Sequence, residues 1–281
     1  MSDWGATHNT SIVEGLDQEM PGPSNPADPK DFFGVKLQAE VENGTIPASV
    51  LDRSVARILT PLFAVGLFDA PNPNHDDSRN VSTPESMAVA RELAENSTIL
   101  LQNRNGLIPI SAETVKRIVI VGQGAKNPIV HGGGSGLVDP SYLPPPLAAI
   151  SGRFNQHTVI TYSPNADPQT VAAASAADLA IVFVGTSSAE GSDRQTLSYG
   201  PGMDGMVSAI AAAQPKTIVV ATSPGAVLMP WASNVSSILL GLMPGQMFGD
   251  ALANLLFGDV APSGRLPITI PNTGEWAVVG G

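Results

Sequence analysis

From residue 97 onward the chain is punctuated by short runs that are apolar at nearly every position. They are STILLQ (97–102), RIVIVG (117–122), TVITYS (158–163), LAIVFVG (179–185), TIVVATS (217–223) and SSILLGL (236–242). A strand with one wet face alternates apolar and polar residues, whereas a strand covered on both faces does not need to. Between several runs lie segments with helical composition and spacing, at 167–177, 202–213 and 247–258. Apolar strands alternating with helices predict a mostly parallel sheet between two helical layers. Residues 96–281 are therefore expected to form a complete α/β sandwich.

The first third follows a different pattern. Residues 30–42 and 47–65 have helical spacing, and ASVLDRSVARILTPLFAVGLF (48–68) sets Val50, Leu51, Val55, Ile58, Leu59 and Leu62 along one stripe. A third helix is expected from Thr83 to Glu95, with Ser82 as N-cap and Glu85 at capping-box spacing from it. The stretch NPNHDDSRN (72–80) reads as a polar loop. Almost no strands accompany these helices, yet an apolar stripe must be buried against something. Residues 1–95 thus read as the outer layer of a structure whose inner strands are missing from this chain.

Composition narrows the chemistry. The 281 residues carry a net charge of −11 with a pI near 4.6, which argues against nucleic acid and anionic membranes as partners. There is no cysteine, hence no disulfide framework, thiolate nucleophile or cysteine metal site. His8, His75, His131 and His157 are scattered without metal-ligand spacing, and no cofactor is expected. No run approaches the ~18 apolar residues of a membrane helix, and residues 1–20 hold no targeting segment. Five N-x-S/T sequons, at Asn9, Asn43, Asn80, Asn96 and Asn234, lean toward a secreted protein.

Three stretches are candidates for a site. Asp3-Trp4 places a carboxylate beside an indole: an apolar ring face stacks on a sugar while a carboxylate attacks or steadies its anomeric carbon. By spacing alone, Asp3 reads better as an ordinary cap or terminal aspartate. TSSAEGSDRQTL (186–197) follows an apolar strand, where α/β sheets bind ligands, and Glu190 among small residues can reach into a cleft as a proton donor. Asp193 and Arg194 can pair to hold that loop, and a solvated loop with a structural ion pair is an equal reading of it. VHGGGSGLVDPSYLPPPL (130–147) lacks the spacing of a phosphate loop, and its prolines delay any helix. Its glycines suit tight turns and close packing beside a site instead. GGSGL (133–137) lacks the spacing of a serine-hydrolase elbow.

Taken in order, these pieces resemble the glycoside hydrolase family 3 β-glucosidases, particularly the fungal ones. The motifs are SDWGA (2–6), GLDQEMPGP (15–23), ENSTILLQNRNGLIPI (95–110), GGGSGLVDP (132–140) and SAEGSDRQTL (188–197). They continue through PKTIVVATSPGAVLMPW (215–231) and GLMPGQMFGDALANLLFGDVAPSGRLPITI (241–270). The resemblance implies a (β/α)8-type barrel followed by an α/β sandwich, with residues 1–95 the last part of the barrel plus a linker. It implies Asp3 as nucleophile, Trp4 lining the glucose subsite and Glu190 as acid/base, with Ser188, Gly191, Asp193 and Arg194 completing the motif. The implied reaction is retaining hydrolysis of β-glucosides or cello-oligosaccharides, with the Glu190 pKa raised by a partly desolvated cleft.

The same resemblance implies that sugar-holding barrel residues lie upstream, that Met1 is an internal methionine, and that the isolated chain has little activity. The sequence stops at EWAVVGG (275–281), short of the fibronectin-like domain that the resemblance to fungal members would add. A β-xyloside or N-acetyl-β-glucosaminide is an alternative substrate, and a non-catalytic carbohydrate- or partner-binding module is the alternative from another class.

Overall fold

The computed structural model describes residues 1–22, 31–69 and 80–272, and the chain falls into two units, Met1–Arg79 and Asn80–Gly281. In the first unit, α1 (Val35–Glu42) and α2 (Ala48–Ala64) form where the periodicity predicts helices. Helix α1 begins later than expected because the amides of Phe32 and Phe33 donate to the Glu19 carboxylate, at 3.0 and 2.6 Å, before the chain turns at Gly34. Most of the polar stretch at 72–80 lies outside the described residues, as does His75.

Ile12, Leu37 and Ile46 form a small core with Phe33, Val41 and Val50 packed against it. Asp17 fastens α2 by accepting from Ser54 Oγ at 2.7 Å and Arg57 Nη1 at 3.2 Å. Ser54 is the one fully buried residue of α2, and Val55 on its apolar stripe is 43% exposed. The described residues of this unit contain one isolated bridge, Trp4 to Met20, and no longer strand.

In the second unit all six apolar runs are strands: β1 (Ile99–Asn103), β2 (Arg117–Val121), β3 (Val159–Ser163), β4 (Leu179–Gly185), β5 (Thr217–Thr222) and β6 (Ser237–Gly241). They form one sheet in the order β1-β6-β5-β4-β2-β3, parallel throughout except for β1, which runs antiparallel to β6 at the edge. The helices are α3 (Pro84–Ser97), α4 (Pro146–Ser151), α5 (Pro168–Ser175), α6 (Pro201–Ala213) and α7 (Phe248–Phe257).

Successive strand side chains point to opposite faces, and both faces here are covered. Ile118, Ile120, Ile181, Phe183 and Val220 join Ile150 of α4 and Leu252 of α7 in one core. Val119, Val121, Val182, Val184 and Val219 join Ala174 of α5 and Val207 and Ile210 of α6 in the other. The two cores explain why the strands read as unbroken apolar runs. Pro144 and Pro145 delay α4 as expected, and Pro146 then starts it, at a position where a missing amide costs nothing.

The N-cap of α3 is Thr83, one residue beyond the expected Ser82. Thr83 Oγ1 accepts from the Ser86 amide at 3.2 Å and Ser86 Oγ accepts from the Thr83 amide at 2.9 Å, closing a capping box without Glu85. Pro84 at the first helical position fixes that start. Thr83→Ala is expected to lower stability by about 1 kcal/mol, and Ser82→Ala by less than about 0.5 kcal/mol, as read from urea unfolding midpoints.

Candidate functional site

Two loops beyond the carboxyl ends of the sheet meet around Glu190. The segment after β4 folds back against residues 130–137, with the Gly133 amide donating to Ser188 O at 2.9 Å and a bridge between Gly133 and Ala189. The close approach depends on glycine. Gly134 has φ +69°, and a Cβ there would lie 2.6 Å from that of Glu190. The close packing that its glycines suggested is formed here, against residues 188–190.

Ser135 at the tip of this loop holds the Glu190 carboxylate. Its amide donates to Glu190 Oε2 at 3.0 Å, and its hydroxyl donates to the same oxygen. Glu190 is otherwise exposed. The resemblance implied a raised pKa, but the structure has the opposite direction: the Ser135 hydroxyl and amide hold Glu190 below its ordinary value. The cause is a pair of donors to the charged form with little burial against it.

Replacing Ser135 with alanine is expected to move the Glu190 titration upward toward the ordinary glutamate range, as followed by carboxyl-carbon NMR. Because the native pKa is depressed, the contact's contribution to stability is present above the ordinary carboxylate range. It is lost as pH falls through the lowered value.

The expected Asp193–Arg194 pair is not formed among the described residues. Asp193 is exposed, while the Arg194 guanidinium turns inward and donates from Nη2 to Ala226 O at 2.7 Å. The Leu228 amide donates to Leu197 O at 2.9 Å, so the base of the Glu190 loop is fastened to the segment after β5. Beneath it Asp204 accepts from Trp231 Nε1 at 2.8 Å and from Ser198 Oγ at 2.9 Å. Burial pushes the neighbouring Tyr199 hydroxyl well above the usual phenol range.

Asp3 and Trp4 lie in the first unit and are held there by backbone pairing. The Ser2 amide donates to Gln18 O and the Gly5 amide to Met20 O, both at 2.9 Å, and the Met20 amide donates to Ser2 Oγ at 2.9 Å. Asp3 Oδ1 accepts from the Trp4 amide at 2.7 Å. Both residues are open to solvent, the indole at 70% exposure. The stretch is a clasped segment rather than a frayed end.

The sequence profile described as "Glycosyl hydrolase family 3 C-terminal domain" matches residues 98–278. The chain belongs to that family. Curated relatives of this family 3 chain include "Probable beta-glucosidase G" of Emericella nidulans, 33% identical across 98% of this chain and 40% of the relative. "Probable beta-glucosidase L" of Aspergillus fumigatus is 37% identical across 96% of this chain and 41% of the relative. The chain thus spans about 40% of the length of the curated relatives it matches.

Among solved structures, the β-D-glucoside glucohydrolase of Trichoderma reesei superposes with a TM-score of 0.81 at 30% identity, over 99% of this chain and 44% of that one. DesR, a β-glucosidase from Streptomyces venezuelae in complex with D-glucose, gives 0.79 at 27% identity, over 100% of this chain and 51% of that one. Among the described residues no helix is long and apolar enough to cross a membrane.

Ser135, Ala226 and the Tyr199–Asp204–Trp231 cluster were not singled out from the sequence. Ser135 had a usable signal, since it sits inside the GGGSG run already marked as lying beside a site. The carbonyl of Ala226 has none.

Proposed function

We propose that this family 3 chain carries the two catalytic carboxylates of a secreted, retaining β-glucosidase. Residues 1–95 serve as the last part of its barrel and linker, and residues 96–281 as its sandwich. The observation that supports this most is Glu190. On the loop leaving β4 an exposed carboxylate is oriented by Ser135 of the 130–137 loop, inside a family whose relatives are named β-glucosidases. All five sequon asparagines are exposed, which is consistent with export.

In the first step Glu190 gives its proton to the glycosidic oxygen as an Asp3 oxygen attacks the anomeric carbon, and the C–O bond to the leaving group breaks. In the second step the Glu190 carboxylate takes a proton from water, which attacks the same carbon and releases Asp3 and glucose. A retaining pair works with its carboxyls about 5–5.5 Å apart. Trp4 offers its indole face to the sugar ring. Ser135 favours ionised Glu190, which suits the second step. The first step needs the proton, so binding must raise the pKa by excluding water.

Hydrolysis of an aryl β-glucoside tests this reading in two preparations: the chain alone, and a chimera joining it to the region preceding the matched segment of the Trichoderma reesei enzyme. The chain alone is expected to turn over slowly or not at all, because its Asp3 and Trp4 are exposed and its Glu190 is ionised at neutral pH. The chimera is expected to release glucose. Binding of cellobiose by the chimera without hydrolysis would instead identify a carbohydrate-binding module.

A further inference from the structure

A cavity of about 750 Å³ in the second unit takes no part in the chemistry above, and Glu190 does not line it. It opens where β2 and β4 end, and this is where the sheet order turns. The chain passes from β2 outward to β3, then returns past β2 to β4, β5 and β6. At such a point the connections diverge and leave a crevice beyond the strand ends, the usual place for a ligand in a doubly wound sheet. Gln123 and Asn127 follow β2, Asn165 follows β3, and Gly185 ends β4. The volume lies within the range of small-molecule sites.

One face of α6 leaves the space open. Gly202, Gly205 and Ala209 share a helical stripe with Met206, and all four line the cavity. A Cβ placed on Gly202 or Gly205 would meet no atom within 4 Å.

The lining selects the chemistry of an occupant. Phe183, Ile129, Met203 and Met206 provide apolar walls, and the amide side chains of Gln123, Asn127 and Asn165 provide donors and acceptors. No lysine or arginine is among the lining residues. The start of α6 does not serve an anion: Pro201 has no amide proton, and Asp204 puts a carboxylate in the first turn. Asp167, the one acidic lining residue, caps α5 by accepting from the Thr170 amide at 2.8 Å. Tyr199 also lines the cavity, is 4% exposed, and its hydroxyl has no hydrogen-bond partner among the described residues. An uncharged occupant with a flat apolar body and one polar edge fits this set.

We propose that the cavity binds neutral aromatic alcohols, with the ring against Phe183, Met203 and Met206 and the hydroxyl among the amides of Gln123, Asn127 and Asn165. Thioether side chains adapt their shape to a ring and make favourable sulfur–aromatic contacts.

Methyl NMR on the full chain with ¹³C-labelled methionine tests this without turnover, so failure of the catalytic reading leaves the outcome readable. Titration with p-cresol is expected to shift the Met203 and Met206 methyls saturably, with a dissociation constant below about 1 mM. Benzoate and inorganic phosphate are expected to leave them in place. Gly205→Leu, which fills the stripe and raises helix propensity, is expected to weaken p-cresol binding at least about tenfold. Ala209→Leu serves the same purpose should Gly205→Leu lose the native methyl spectrum. Absence of saturable shifts, unchanged affinity in a folded filled variant, or equal binding of benzoate would each overturn the proposal.

Discussion

In the active chimera, Glu190→Gln is expected to lower hydrolysis of an unactivated aryl β-glucoside by about two to four orders of magnitude, the usual worth of a positioned proton donor. Glutamine keeps the shape, and its amide oxygen can still accept from Ser135, so the loop packing around Gly134 is retained. What is lost is the transferable proton. The loss in kcat/KM should therefore depend on the leaving group, falling for a dinitrophenyl glucoside that departs without protonation and remaining large for a poor leaving group, while kcat for both stays limited by a second step that has lost its base. The arm of the pH profile that reports protonated Glu190 should also disappear. A variant that hydrolyses both substrates at the parent rate would remove Glu190 from the mechanism.

The largest loss of stability is expected at Trp231, a residue with no contact to substrate in this account. Its side chain is 1% exposed and lies in the core shared by α6 and the β4–β5–β6 part of the sheet. Its indole donates to Asp204, which also accepts from Ser198. Trp231→Ala leaves a cavity and a half-buried acceptor missing one donor, for an expected cost of about 3–5 kcal/mol, most of it from the cavity. Melting temperature should fall by roughly 6–20 °C for a unit of this size. Trp231→Phe keeps most of the packing and removes the donor, so its cost isolates the hydrogen bond at about 1–3 kcal/mol. A loss below about 1 kcal/mol for the alanine variant would show that the indole is not a keystone of the core.

The sandwich was legible because its strands are covered on both faces. Ile118 and Ile120 face one helical layer and Val119 and Val121 the other, so the requirement appears directly as an unbroken run. The uncovered stripe of α2 was legible for the same reason, since Leu51 and Val55 are apolar and yet exposed in the structure. The cap of α3 was misplaced by one residue because Ser82 and Thr83 are both good caps. Pro84, which prefers the first helical position, was the signal that separates them.

The candidate site was legible by residue type but not by contact. Glu190 stood out among small residues, yet its partner Ser135 lies 55 residues earlier on a loop with no periodicity. Its charge state followed from that contact and not from the motif. Arg194 beside Asp193 suggested an ion pair, but the guanidinium takes a backbone carbonyl that any residue could supply.

Covalent trapping in the chimera tests the central claim most directly. A 2-deoxy-2-fluoro-β-glucosyl fluoride slows release of a glycosyl-enzyme, so the sugar accumulates on the nucleophile. Peptide mass spectrometry should place the label on Asp3, with labelling and turnover both abolished in Asp3→Asn. An active chimera that carries the label on another carboxylate, or that loses no activity in Asp3→Asn, would contradict the assignment.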